Sequence, residues 1–295
     1  MNTGKSGFIS VVGRPNVGKS TLVNALVGQK VAITSSRPQT TRNTIRGVLT
    51  LQDPSAQLVF VDTPGLHKPK NALGERLNRL VYGSLADTDV TLFVLDARQA
   101  IGPGDRLIAQ RLAEAGAPVV VVVNKVDVAS PAEVLVHLSE AGEWDFVAYL
   151  PVSALESEGL GPLVDELLAI VPEGPFFFPT DMATDQPDAL LAAEIVREKY
   201  LSRLREELPH SLAVVVDDIE TRDNGTLYIP VTIYVERTSQ KGMVIGKGGE
   251  LIKVVGAEAR RELESIFGAK VFLDLRAKVE KDWQRHDQLL DRLGF

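Results

Sequence analysis

The stretch GRPNVGKST occupies residues 13–21 of this 295-residue chain. It fits the spacing G-x-x-x-x-G-K-[ST] without gaps. FISVVG (8–13) before it is a short β-rich run, and KSTLVNALVG after it has helical spacing. Strand, glycine loop and helix follow in the order a phosphate loop requires. Backbone N–H groups of such a loop converge on a β-phosphate, and the helix N-terminus adds partial positive charge. Gly13, Arg14, Pro15, Asn16, Val17, Gly18, Lys19, Ser20 and Thr21 are therefore the candidate phosphate-binding residues. Lys19 would supply a cation to the β and γ oxygens, and Ser20 a hydroxyl to Mg²⁺.

Further apolar runs follow at QLVFVD (57–62), VTLFVLDA (90–97), PVVVVVNK (118–125) and FVAYLPVS (146–153). They are near-continuous rather than alternating, as strands buried on both faces of a parallel sheet are. Helical patterns lie between them at 73–84, 103–115, 131–141 and 159–171. This alternation predicts an α/β domain with a mainly parallel sheet. The ends of these strands carry chemistry, and ligands of open α/β sheets bind at carboxyl ends. At DTPG (62–65), Asp62 can reach Mg²⁺ through water, and Gly65 can turn its N–H toward a γ-phosphate; Thr63 and Pro64 complete the turn. At NKVD (124–127), the Asp127 carboxylate can accept both the N1–H and the exocyclic amine of guanine. Adenine lacks that donor pair, so ATP would leave a buried charge unpaired. Asn124 would buttress the loop beside Lys125. In SAL, Ser153, Ala154 and Leu155 follow the last strand, where the Ala154 N–H could meet the guanine O6. A P-loop kinase would explain the first loop and leave NKVD and SAL idle.

Taken together, GRPNVGKS, DTPG, NKVD and SAL resemble a translation-factor-related GTPase, specifically the Era family of bacterial GTPases. The resemblance implies a threonine of the first switch on Mg²⁺. QTTRN (39–43) is the candidate stretch, with Thr41 preferred and Thr40 the alternative. Lys19, Thr41 and Gly65 are thus the catalytic candidates, and Ser20, Thr41 and Asp62 the metal candidates. Many related switches place a water-orienting glutamine after the DTPG glycine. Here Leu66 stands there and can neither donate nor accept a hydrogen bond, so slow intrinsic hydrolysis is expected. His67, next in line, is more simply a solvated loop histidine than a base. In related GTPases with an asparagine at the position of Asn16, that residue helps to bind K⁺, which makes K⁺ a candidate accelerator.

VPEGPFFFPTDMATDQPDA (171–189) breaks the pattern with four prolines and a run of phenylalanines. It reads as a linker whose phenylalanines pack onto one domain. The expected division is a GTPase domain over 1–172, a linker over 173–187 and a second domain over 188–295. The second half runs α-β-β-α-α-β: a helix at 188–208, strands in LAVVVDDIE and GTLYIPVTIYVER, the loop VIGKGG, two helices and the strand AKVFLDLRAKV (269–279), closed by a short C-terminal helix. Gly246-Lys247-Gly248-Gly249 fits G-x-x-G but not the longer P-loop spacing, and no Ser or Thr follows its lysine. It should not hold a nucleoside triphosphate. A G-x-x-G loop between two helices in this order marks a type II KH domain, whose loop clamps the backbone of about four unpaired nucleotides. Lys241, Ile245, Gly246, Lys247, Gly248, Gly249 and Lys253 are the RNA-binding candidates, with Leu251 and Ile252 as apolar floor.

Residues 186–295 hold 17 Lys+Arg against 19 Asp+Glu, and the whole chain carries a net charge of −7. RNA binding therefore has to rest on one face. Arg237, Lys241, Lys247 and Lys253 against Glu250 alone make 237–253 that face. The resemblance implies binding near the 3′ end of 16S ribosomal RNA and a role in maturing the 30S subunit, with the GTP state controlling RNA binding and domain arrangement. The absence of cysteine excludes disulfides, thiolate metal sites and cysteine nucleophiles. No apolar run reaches the ~18–20 residues needed to span a bilayer. The N-terminal stretch does not read as a signal peptide, so a cytoplasmic monomer is expected. The family is sometimes found at the inner face of the cell membrane. The end KVEKDWQRHDQLLDRLGF, with Trp283, Leu289, Leu290, Leu293 and Phe295, reads rather as a packed helix.

Overall fold

A computed structural model describes residues 3–293, apart from 36, 38, 39, 67, 68, 70, 87, 206, 207 and 210 and the side chains of 85, 86 and 292. The chain forms two units. One comprises residues up to Ala32, Thr41–Lys68 and Arg76–Asp185, and the other comprises Ile33–Thr40, Pro69–Glu75 and the chain from Gln186 onward.

In chain order, the first part of the protein carries β1 (Thr3–Val12), α1 (Lys19–Val27), β2 (Ile45–Leu51), β3 (Ala56–Asp62), α2 (Ala72–Ala86), β4 (Val90–Asp96), α3 (Pro103–Ala115), β5 (Val119–Asn124), α4 (Pro131–Ala141), β6 (Ala148–Val152), α5 (Leu160–Ile170) and β7 (Glu173–Pro175). Strands β2-β3-β1-β4-β5-β6 lie side by side in that order, and β7 pairs with β1. The contacts β3–β1–β4–β5–β6 are parallel. The α/β expectation is met, and β3, β4 and β5 are buried at every position. Burying each Val or Leu side chain of these runs contributes roughly 1.5–3 kcal/mol relative to leaving it exposed. The sequence reading did not include the antiparallel strand β2. Among the described residues it pairs with β3 as its neighbouring strand and meets the chain at Thr184 through a single bridge on its other side, and its burial is mixed. α4 starts with a reciprocal cap: Glu133 N–H donates to Ser130 Oγ, and Ser130 N–H donates to the Glu133 carboxylate at 2.7 Å. α1 starts differently, from Gly18, which has no side chain to accept its first N–H groups.

Residues 173–185 run along the first unit. β7 pairs antiparallel with the start of β1. Phe177 packs on Phe8 with ring centroids 4.6 Å apart. Gln57 Oε1 accepts from the N–H groups of Phe177 and Phe178 at 2.8 and 2.9 Å. Arg46 pairs with Asp185 at 2.7 Å.

The second unit carries α6 (Asp188–Leu201), β8 (Ala213–Val216), β9 (Glu220–Thr221), β10 (Leu227–Val235), α7 (Thr238–Ile245), α8 (Glu250–Phe267), β11 (Val271–Val279) and α9 (Asp287–Arg292). Its sheet runs β11-β10-β8, with β9 on β10. β10 is parallel to β11 and antiparallel to β8. This is the expected α-β-β-α-α-β order with a short extra strand, but the two middle helices do not both follow the glycine loop: α7 precedes it and the single helix α8 follows it. α6 ends at Leu201, before the predicted 208, but Leu204, Leu208 and Leu212 remain buried in the core. Within this unit Arg197, 1% exposed, is held by the Glu194 carboxylate and donates to the Thr40 carbonyl; Glu198 accepts from the Thr34 N–H at 2.9 Å. Trp283 is fully buried, and its Nε1–H donates to the Ser211 carbonyl at 3.1 Å. Leu290 and Leu293 are also buried, whereas Phe295 lies outside the described residues.

Candidate functional site

The motifs of the first unit meet at the carboxyl ends of its strands. Lys19 opens α1, is 6% exposed, and donates to the carbonyls of Gly13 and Arg14 at 3.1 and 3.0 Å. Ser20 Oγ donates to Asp62 Oδ2 at 2.6 Å and lies 2.9 Å from Thr41 Oγ1. Thr41 Oγ1 is also 3.4 Å from Asp62 Oδ2. Three oxygen donors from α1, the segment before β2, and the end of β3 thus share one point. Asp62 Oδ1 is buried and has no hydrogen-bond partner. Burial pushes the Asp62 carboxyl up to about 6 despite the nearby Ser20 hydroxyl and Lys19. Burial pulls Lys19 down to about 8, partly opposed by Asp62. Both charged forms are costly here unless a counter-charge arrives. Oxygen donors around an unsatisfied carboxylate suit Mg²⁺. A buried ammonium beside an uncapped helix start suits phosphate.

Glycine is required at two of these positions. A Cβ on Gly18, at φ 99°, would lie 2.3 Å from Asn124 Nδ2. A Cβ on Gly65 would lie 2.8 Å from Pro15 Cα. The base-recognition loops are equally interlocked. Asn124 Nδ2 donates to the Val17 carbonyl at 2.9 Å, and Asn124 Oδ1 accepts from the Ala154 N–H at 3.0 Å. Lys125 Nζ bridges the Asn16 carbonyl and Asp96 at 2.5 and 2.6 Å. Ser153 Oγ donates to Asp127 Oδ1 at 2.6 Å. The Ala154 N–H, expected on the guanine O6, is directed to Asn124. Leu155 is 72% exposed. Thr63 Oγ1 donates to the Val11 carbonyl at 2.8 Å, so its hydroxyl holds the turn onto β1. Pro64 is buried beside it, and Thr21 is half-buried in α1. Arg14 leaves the phosphate loop to pair with Asp105 at 2.8 Å. Leu66 packs against the core, and its N–H donates to the Gly13 carbonyl at 3.3 Å. His67 and Gln39 lie outside the described residues.

In the second unit, Gly246–Gly249 joins α7 to α8. Gly246, Gly248 and Gly249 have φ of 77°, 61° and 78°, a region costly for other residues. Lys247 and Gly248 are exposed. Beside the loop, a groove of about 370 Å³ runs between α8 and β11. Ile252, Lys253, Gly256, Ala257 and Arg260 form one wall; Phe272, Leu273 and Leu275 form the other. Of the predicted residues Ile252 and Lys253 line it, whereas Lys241 and Ile245 lie on α7.

Comparison with known proteins agrees with both halves. Residues 8–125 match a family model described as a 50S ribosome-binding GTPase, and residues 207–284 match a KH domain model. The chain is 45% identical to GTPase Era of Ruminiclostridium cellulolyticum over 292 residues, covering 99% of this chain and 97% of that one. It is 46% identical to GTPase Era of Alkaliphilus metalliredigens over 295 residues, covering 99% of each chain. The chain belongs to the Era family of GTPases. A crystal structure of Era in complex with MgGDPNP and nucleotides 1506–1542 of 16S ribosomal RNA superimposes with a TM-score of 0.95, at 41% identity and 99% coverage of both chains. An Aquifex aeolicus Era variant bound to GDP·AlF4⁻ also gives a TM-score of 0.95, at 41% identity and coverage of 98% of this chain and 99% of that chain. As an Era-family member the protein is a GTPase with a KH RNA-binding domain.

Several residues with a place in these sites had escaped the sequence reading. Asp96 anchors Lys125, and Asp105 draws Arg14 away from the loop. Arg260 and Phe272 stand on opposite walls of the groove, 12 residues apart in the chain. A Cβ on Gly256 would lie 3.0 Å from Leu275 Cδ1, so a small residue lets α8 approach β11. The spacing of α8 marked Gly256 and Arg260 only as helix positions.

Proposed function

We propose that this chain binds GTP with Mg²⁺, hydrolyses it to GDP and phosphate, and grips the unpaired 3′ region of 16S ribosomal RNA during maturation of the 30S subunit, as a cytoplasmic monomer. The observation that carries this reading is the meeting of Ser20, Thr41 and Asp62 in one unit and the open groove beside Gly246–Gly249 in the other. Magnesium, when bound, would neutralise charge on the phosphate oxygens. Ser20 and Thr41 would hold it directly and Asp62 through water. Lys19 would stabilise the charge that develops as water attacks the γ-phosphorus in line, and loop N–H groups would do the same. Gly65 would present its N–H to the γ-phosphate, and Asp127 would select guanine. Leu66 orients no water, which supports slow turnover. The Asn16 carbonyl is already engaged by Lys125, so K⁺ would take the Asn16 side-chain oxygen; equal turnover in KCl and NaCl at matched ionic strength removes potassium from this reading. Peripheral membrane contact has no support from Trp283, Leu290 and Leu293, which are buried.

The GTP state would set the arrangement of the two units and with it access to the groove. RNA should bind more tightly with a GTP analogue than with GDP, and identical affinities refute that coupling. RNA crosslinking of the intact protein tests the rest. The variant Lys247→Asp, Gly248→Asp should lose the RNA and keep GTP.

A further inference from the structure

β10 and β11 are in parallel register, with Tyr228 opposite Phe272, Pro230 opposite Asp274, Thr232 opposite Arg276 and Tyr234 opposite Lys278. Alternation along a strand puts these residues on one sheet face, the one turned from the buried Ile229, Val231 and Ile233. Two aromatic rings stack there: Tyr228 and Phe272 have centroids 5.9 Å apart and planes 24° apart. The Arg222 guanidinium, from the turn after β9, lies over both, 4.6 Å from the Tyr228 centroid and 5.0 Å from that of Phe272. Arg222 is exposed and, among the described residues, pairs with no carboxylate. Phe272 remains 50% exposed. Of the acids nearby, Asp274 is taken up by Arg276 at 2.6 Å and the Tyr228 hydroxyl at 3.0 Å, while Glu220 faces Tyr228 from β9.

A half-exposed phenylalanine beneath a guanidinium plane offers flat π-surface that a further planar group can stack on. Nucleobases stack on aromatic rings and on guanidinium planes, and each such stack is sequence-tolerant. Phe272 also lines the groove between α8 and β11, so the cluster adjoins it at that residue. We propose that Arg222, Tyr228 and Phe272 form a base-stacking platform that takes an unpaired nucleotide of the RNA strand beyond the groove. This rests on the RNA reading above and lengthens its footprint. Tyr228 backs Phe272, the Asp274 hydrogen bond fixes the Tyr228 ring, and Arg222 offers its outer plane to the base.

The test uses the full chain with a GTP analogue and nested single-stranded fragments of the 16S rRNA 3′ end: a pentamer that fills the groove, and decamers extended toward either end. The wild type should bind one decamer more tightly than the pentamer. Arg222→Ala and Phe272→Leu should each weaken that decamer about 10-fold, within the range for losing one base stack. Arg222→Ala, which lies outside the groove, should bind the pentamer as the wild type does, and Phe272→Leu, in its wall, should lose more on the decamer than on the pentamer. Variants that bind the decamer as tightly as wild type overturn the platform, as does equal affinity of the wild type for all three fragments. An equal loss on pentamer and decamer also overturns it, because the residues then only support the groove. If the wild type binds no fragment, the RNA reading itself fails.

Discussion

The two glycine–lysine loops resemble each other in outline and differ in burial. Each leads into a helix whose cap position is a glycine with no side chain to accept the first N–H groups, Gly18 for α1 and Gly249 for α8. Lys19 is buried beside Asp62, and burial draws its ammonium down to about 8. Lys247 is exposed to solvent. A buried cation in a shaped cradle recognises one compact, highly charged group and rejects others, because a mismatch leaves charge unpaired in a poorly solvated place. An exposed cation beside an open groove attracts any phosphate along a chain and discriminates little by itself. On the proposed reading, the same dipeptide would serve selectivity in one place and general attraction in the other. The difference comes from what surrounds it.

The sharpest way to break the comparison is to remove the buried charge. Lys19→Ala should lower kcat for GTP by about 10²–10³, the scale for losing one preorganised transition-state donor, in single-turnover assays. A comparable effect belongs to base recognition. Asp127→Asn gives up two charge-assisted hydrogen bonds, roughly 1.5–3 kcal/mol each, so GTP affinity should fall by about 10²-fold or more while xanthosine triphosphate gains; calorimetry with both nucleotides checks this. Gly18→Ala forces a β-carbon against Asn124 in left-handed backbone. At about 1–3 kcal/mol of strain, it should weaken GTP by about 10-fold and leave RNA affinity unchanged. The open loop should respond more mildly: Lys247→Ala should weaken RNA only a few-fold. The plot of log affinity against log salt should flatten by about 0.7, the value for one phosphate contact on a single strand. A Lys247→Ala loss as large as that of Lys19→Ala would mean that the second loop, too, is a shaped cradle.

How much of this was legible in the sequence follows the distance over which each feature is built. The P-loop, DTPG and NKVD are contiguous, and their residues converge because parallel strands end on one side of the sheet. The run VVVVVN reads as a fully buried strand because every side chain of β5 is enclosed. The G-x-x-G loop was readable for the same local reason. Features made by packing were not. Arg14 sits inside the phosphate motif, yet its ion pair with Asp105 spans 91 residues and depends on where α3 lies. The groove is lined from both α8 and β11, Gly256 facing Leu275 across it, a pairing with no signature in either segment alone. The spacing of Leu204 and Leu208 continues the apolar pattern of α6 past its end at Leu201, so the sequence alone suggests a longer helix; they are buried through turns instead.

β11 lies at the margin of its sheet, with β10 on one flank only. Such a border displays unpaired backbone groups that can recruit a stray strand from another molecule. Arg276 and Lys278 project from this border into water. Arg276 is already paired with Asp274 at 2.6 Å, so it is chiefly the Lys278 charge that disfavours pairing of one border with another. The margin can therefore stay open, as a groove flanking it requires, without turning the protein into a seed for aggregates.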